Sequence, residues 1–219
     1  MAVRPKTRAP VAANSVRKRK PAAERKVEIV EKAIQLAAEV GPDRMTTELL
    51  ARNVGISQAA IFRHFENKGA IWEAVAQRLG EKIKGNWNLD VTGPDELFGE
   101  LRALVTSHFK TIQQTPALPA ILFSRELHAE NEQLRQFFTK MVAKFLAKMT
   151  AVIAKDFAKH RLSVNVEAED VAALVLSLVQ GLALRWSLNA NSFDLVKEGA
   201  RLLDIQLNCI LAYNQENHP

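Results

Sequence analysis

The sequence predicts an all-α protein, and three observations carry that expectation. Apolar residues recur at three- and four-residue spacing through nearly every segment, the mark of amphipathic helices. Strand-like alternation is scarce, and aromatic residues make up only 6% of the chain. Gly41-Pro42 and Gly93-Pro94 punctuate the periodic runs, since glycine permits a left-handed exit and proline cannot continue the ladder. With 219 residues, 47% hydrophobic and 25% charged, the composition is globular and the length suffices for one good core or two small ones.

The first helix is expected from Glu24 to Val40, with Val27, Val30, Ala33, Ile34, Ala37 and Val40 on one face. Thr46 then offers a hydroxyl to the free N–H groups of a second helix carrying Leu49, Leu50 and Val54. Gly55 stands where the chain must turn sharply, and Ser57 caps a third helix whose buried side is Ala60, Ile61 and Phe65. Two short helices around a tight glycine turn form a helix-turn-helix unit, whose second helix enters the DNA major groove. A fourth helix starts at the cap Asn67, carries Ile71, Trp72, Val75 and Leu79, and runs on past Ile83.

Thr92, Pro94 and Asp95 signal the next helix start, followed by a stripe of Leu97, Leu101, Leu104, Val105 and Phe109. Pro116 and Pro119 punctuate a short segment ending near His128. A long helix follows, about Glu130 to Lys159, with Phe138, Met141, Val142, Phe145, Leu146, Met149, Val152 and Ile153 along one side. Lys140, Lys144, Lys148 and Lys155 lie opposite as a solvated row. The last two helices, about Glu167–Leu188 and Phe193–Tyr213, bring the count to about nine. The first of them is apolar nearly all round, so one side faces the core and the other needs a partner. A homodimer is therefore expected, with Val171, Leu174, Val175, Leu178, Val179, Leu182, Leu203, Leu207, Ile210 and Leu211 at its interface.

The net charge of +6 is unevenly placed. Residues 1–26 hold nine of the 30 basic residues against Glu24 alone, leaving 21 basic and 23 acidic residues for the rest. The arm, residues 1–23, also contains Pro5, Pro10 and Pro21 and almost no large apolar residue, so it is expected to be disordered when free. It either attracts DNA phosphates and the minor groove or is a solvated tail. The single Cys209 excludes an internal disulfide framework and fits a reducing cytoplasm as a small apolar helix residue. No apolar signal core follows the basic start, and Val171–Ala183 is shorter than the about 20 residues that a bilayer needs. A cytoplasmic protein without a membrane partner follows.

The pattern T-x-x-x-[IL]-A-x-x-x-G-[IV]-S-x-x-x-[IL]-[YF]-x-[HY]-F-x-x-K is carried here by Thr46, Leu50, Ala51, Gly55, Ile56, Ser57, Ile61, Phe62, His64, Phe65 and Lys68. It resembles the DNA-binding motif of the tetracycline-repressor (TetR) family of bacterial regulators. The resemblance implies a helix-turn-helix head over residues 24–84 and an effector-binding and dimerisation body over 85–219. It also implies dimerisation through the last two helices as a four-helix bundle. One departure stands out: the family usually has Tyr at Phe62, and its hydroxyl commonly touches a phosphate. Here that contact is lost or replaced by Arg63 or His64.

On such a head, Gln58 suits a bidentate pair with adenine, and Ala59 or Ala60 a thymine methyl. Arg63 suits a base edge or a phosphate. Arg44, Thr46, Thr47, Ser57, His64 and Lys68 suit phosphates. The partner is double-stranded DNA, and a symmetric dimer implies a palindromic operator with recognition helices roughly 34 Å apart.

The resemblance further implies a pocket for a small-molecule effector that favours the released state. Its candidate lining is Trp87, His108, Phe109, Phe123, Glu126, His128 and Trp186. His108 and His128 are isolated, so no metal site is expected, and no cofactor. No Gly-rich phosphate loop, G-x-S-x-G, HExxH or Cys/His cluster supports an enzyme, so no catalytic residue is assigned. The rival is a non-specific nucleoid-type DNA-binding protein relying on the arm.

Overall fold

The computed structural model describes residues 21–87, 96–160 and 166–216. These residues form ten helices and no strand. They are α1 (Ala22–Glu39), α2 (Thr47–Val54), α3 (Gln58–Ile61), α4 (Lys68–Trp87), α5 (Gly99–Gln114), α6 (Ala117–Leu122), α7 (Arg125–Glu130), α8 (Glu132–Lys159), α9 (Ala168–Leu188) and α10 (Leu195–Glu216). The arm's residues 1–20 and the expected start at Thr92, Gly93, Pro94 and Asp95 lie outside the described residues. The tenth helix arises because the proline-punctuated segment is two short helices, split where the Ser124 hydroxyl accepts from the Leu127 N–H (3.1 Å).

In the head, α1, α2 and α4 pack around Ile29, Ala33, Leu50, Ile61, Ile71 and Trp72, all fully buried. Val27 and Val40 were expected on the buried face of α1 but are 55% and 37% exposed. Val27 lies on the solvent side of α1, and Val40 follows the helix as its C-cap. Arg25 and Lys26, counted with the basic arm, belong to α1. Arg25 pairs with Glu28 (2.7 Å), and the Lys26 ammonium lies over the Phe65 ring at 5.7 Å. Arg78 and Lys82 of α4 both reach Glu31 of α1, at 2.7 and 3.5 Å. Partial burial pushes the Glu31 carboxyl up, but the Arg78 hydrogen bond and both cations hold it below the usual range.

The body is built on α8 and α9 packed together, with α5 and α10 against them. At Gly199 of α10, a Cβ would stand 2.4 Å from Phe109 Cε2, so only glycine lets α10 approach α5 this closely. Phe98, just before α5, is fully buried at φ 61, a left-handed conformation that a bulky residue rarely adopts. Its N–H is held by the buried Asp156 carboxylate of α8 (2.9 Å), which over-determines that backbone.

Helix α9 is, at 21 residues, long and apolar enough to cross a membrane by length and composition, against the sequence expectation. Packing against α8 and α10 covers one side of it, including Val171, Val175 and Val179, while Leu174, Leu184 and Leu188 stay exposed. Of the expected interface residues, Val171, Val175, Val179, Leu182, Leu203 and Leu207 are at most 4% exposed within one protomer. They are core, and this corrects the expectation: a helix apolar all round does not reveal which side its own protomer covers. Leu174 is exposed and Leu178, Ile210 and Leu211 are half-buried, in the company of exposed Leu184, Leu188, Ile205 and Tyr213. Cys209 is exposed on α10. The lysine row also divides. Lys140 and Lys144 are exposed, but Lys148 donates to the Trp87 carbonyl at the end of α4, and Lys155 pairs with Glu100 (2.7 Å).

Candidate nucleic-acid interface and effector cavity

The helix-turn-helix is fixed by local chemistry. The Thr46 hydroxyl accepts from the Leu49 N–H (3.0 Å) and the Ser57 hydroxyl from the Ala60 N–H (3.2 Å). Gly55 turns at φ 74, and its N–H donates to the carbonyls of Ala51 (2.9 Å) and Arg52 (3.2 Å). Glycine suits this left-handed turn because any Cβ would strain it. Beneath the unit, Leu50, Ala51, Val54, Ile61 and Phe65 are buried.

Its outer face carries Thr46, Ser57, Gln58, Ala59, Phe62 and Arg63, all exposed, with Thr47, Ala60, His64 and Lys68 half-buried. Arg44 is exposed just before α2. Phe62, 44% exposed, is an apolar ring on a face where an aromatic would otherwise be covered. One feature was missed from sequence. Gln58 Nε2 donates to Thr47 Oγ1 at 2.7 Å across the turn, eleven residues away. This exposed amide keeps a second N–H and its carbonyl oxygen for further hydrogen bonds.

Between α4, α5, α6, α8 and α9 lies a cavity of about 50 Å³. Of the candidate lining residues, Trp87, His108 and Phe123 stand at this cavity, together with Leu118, Pro119, Met141, Phe145, Leu176 and Gln180, which were not among the candidates. Phe145 was legible only as part of the α8 core stripe. Trp87 stacks on Phe145 (5.0 Å, 12°), and the His108 ring lies 4.3 Å from Phe145. Burial pushes the His108 imidazole down to about 4, because nothing there compensates the desolvated cation.

The other four expected lining residues lie elsewhere. Phe109 packs on Gly199. Trp186 is buried and donates to the Phe193 carbonyl (2.9 Å). Glu126 is exposed on α7. His128 contacts the Leu122 carbonyl (3.0 Å) and the Phe138 ring, and it lines a separate outer cleft with Arg125 and Arg135. Isolated apolar and aromatic residues carry no signal of which neighbour they will meet. Among the described residues, no group of three His, Cys, Asp or Glu side chains is placed to hold a metal.

The cavity is joined to the head through α6. Phe123 lines the cavity, and the next residue, Ser124, hydrogen-bonds to Asp43 Oδ1 (2.5 Å) in the loop before α2. Helix α1 also packs on α6.

A helix-turn-helix head with an exposed polar recognition face, carried by one helix into a helical body with an internal cavity, defines a DNA-binding transcription regulator. The comparisons agree. Residues 29–75 match the model of the bacterial regulatory proteins of the tetR family, and residues 75–208 match the YsiA-like protein C-terminal region. The chain belongs to the tetR family, and its two family matches meet inside α4. It is 27% identical to the nucleoid occlusion factor SlmA of Vibrio campbellii over 158 residues, 72% of this chain and 81% of that one. Its fold is that of the regulator FadR from Bacillus subtilis, solved with stearoyl-CoA (TM-score 0.67, 18% identity, 82% of this chain and 96% of that one). It is likewise that of NalD, a repressor of a multidrug efflux pump in Pseudomonas aeruginosa (TM-score 0.65, 19% identity, 86% and 96%).

Proposed function

We propose that the chain is a homodimeric, effector-released repressor of a palindromic operator, acting in the cytoplasm by regulation rather than catalysis. The observation that carries this reading is the joint from cavity to head: Phe123 in the cavity wall, Ser124 bonded to Asp43, and the recognition unit three residues on. A ligand that swells the cavity moves the α6 wall and with it the head's attachment. It releases DNA only by preferring the displaced geometry, since equal affinity for both states shifts nothing.

The stripe of exposed Leu174, Leu184 and Leu188 with half-buried Leu178 on α9, beside Ile205 and Tyr213 on α10, supports pairing of two copies there. Gln58, preset by Thr47, reads adenine, and Ala59 or Ala60 packs on a thymine methyl. Arg44, Thr46, Thr47, Ser57, His64 and Lys68 hold phosphates, Arg63 a phosphate or a base edge. Phe62 contributes an apolar contact in place of a hydroxyl. Residues 24–84 act as the head and 85–219 as the body.

Selection of bound DNA from a random library at about 150 mM salt tests the reading, because screening at that strength suppresses purely ionic binding. A palindromic site preferred by roughly 10³ or more over random DNA is expected. Binding without an enriched site overturns it. The likeness to SlmA favours a second reading, a nucleoid occlusion factor. A deletion strain separates the two: altered transcripts beside the bound sites support the repressor, and altered septum placement over the nucleoid supports the second.

A further inference from the structure

The cavity is apolar but not wholly so. Trp87 Nε1 and His108 Nδ1 are buried and have no hydrogen-bond partner among the described residues. Both side chains line this one cavity, and both rings pack on Phe145. Buried polar groups left unpaired are costly and rare, so two on one cavity wall mark a place where a ligand supplies what the fold does not. The Gln180 amide is the third polar group of the lining.

The chemistry of the missing partner follows from the donors. Indole Nε1 only donates, so it needs an acceptor. The imidazole Nδ1 accepts or donates according to tautomer, and a hydroxyl satisfies either form while also accepting from the indole. None of the lining residues is Asp, Glu, Lys or Arg, and His108, titrating near 4, is neutral at physiological pH. An ionised ligand group would therefore be buried without a counter-charge. The ring stack of Trp87, Phe145 and His108 presents flat faces to a planar ligand.

We propose, resting on the reading of this cavity as the effector site, that the effector is an uncharged aromatic molecule bearing a hydroxyl group, which bonds to Trp87 Nε1 and His108 Nδ1. The cavity of about 50 Å³ has room for water but not for such a ring, so binding displaces the α6 wall at Phe123. That displacement acts directly on the Ser124–Asp43 joint.

Isothermal titration calorimetry of the full-length protein with naphthalene, 2-naphthol and 2-naphthoate tests this, since the three share one ring system and differ in the polar group. The expected order places 2-naphthol roughly 5-fold tighter than naphthalene. It places 2-naphthoate roughly 100-fold or more weaker than 2-naphthol. His108→Phe and Trp87→Phe each reduce the advantage of 2-naphthol while leaving naphthalene within about 3-fold. His108→Asn, which keeps a polar group, retains part of it. Equal or tighter binding of 2-naphthoate, or no advantage of 2-naphthol, overturns the ligand class and leaves the effector site standing. Failure of all three to bind a protein that still holds its operator overturns the effector-site reading itself, and this proposal with it.

Discussion

Acidification from pH 7.5 to 5.5 destabilises this protein through His108, by an amount that its surroundings set. Burial holds the imidazole at about 4 in the folded chain, against an ordinary 6.5 when unfolded. The unfolded chain therefore takes up a proton first as the pH falls. Stability from this group is undiminished above about pH 7.5 and is lost progressively between the two values. At pH 5.5 the unfolded histidine is about ten parts protonated to one neutral, while the folded one remains almost wholly neutral. The difference is worth about 1.4 kcal/mol. Carboxylates held low by their ion pairs, such as Glu31 and Glu198, lose their contribution only as the pH falls below the ordinary carboxylate value of 4.5, beneath this window. The assay is urea unfolding of wild type and His108→Phe at both pH values. Protein concentration is fixed, because dimerisation makes stability depend on it. The wild type should lose about 1.4 kcal/mol more than the variant across the interval. Equal losses would refute the burial of a neutral histidine in this cavity.

Substitutions at four positions probe the remaining claims. Gln58→Ala should cost about 1–3 kcal/mol and relax discrimination at one base pair per half-site, measured on an operator series with single changes. An unchanged ranking across that series would remove Gln58 from base reading. Thr47→Val deletes the acceptor that holds the Gln58 amide and should relax the same base pair, while Thr47→Ser restores it. Lys68→Ala should weaken all sequences alike and lower the slope of log affinity against log salt by about one, and a sequence-dependent loss would contradict a phosphate role. Gly199→Ala sets a Cβ against the buried Phe109 ring at 2.4 Å and should destabilise by about 1–3 kcal/mol, seen as a lower urea midpoint. An unmoved midpoint would mean that α5 and α10 are not this close.

The head was legible because its signals are local. Thr46, Ser57 and Asn67 were expected as caps, and each accepts from an N–H three residues on. Gly55 was expected to turn the chain, and it does so at positive φ. These interactions span a few residues, so spacing alone specifies them. Helix periodicity likewise located α4 and α8 to within a few residues, and the core stripe of α8 from Phe138 to Ile153 packs inward.

What stayed hidden depends on partners distant in sequence. The Gln58–Thr47, Asp43–Ser124 and Phe98–Asp156 bonds span 11, 81 and 58 residues. Phe109 and Trp186 read as equal candidates with Trp87 and His108, and only packing sent the first pair into the core and the second to the cavity. Helix α9 read as apolar on all sides, and only the positions of α8 and α10 decided that Val171, Val175 and Val179 face inward while Leu174 and Leu188 face out. By itself the sequence determined the all-helical class and the helix-turn-helix unit with its caps and turn, because helix periods, caps and turns are written in neighbouring residues. The tertiary structure decided the cavity, its unpaired polar atoms and its joint to the head, because burial and long-range hydrogen bonds exist only once separate helices meet.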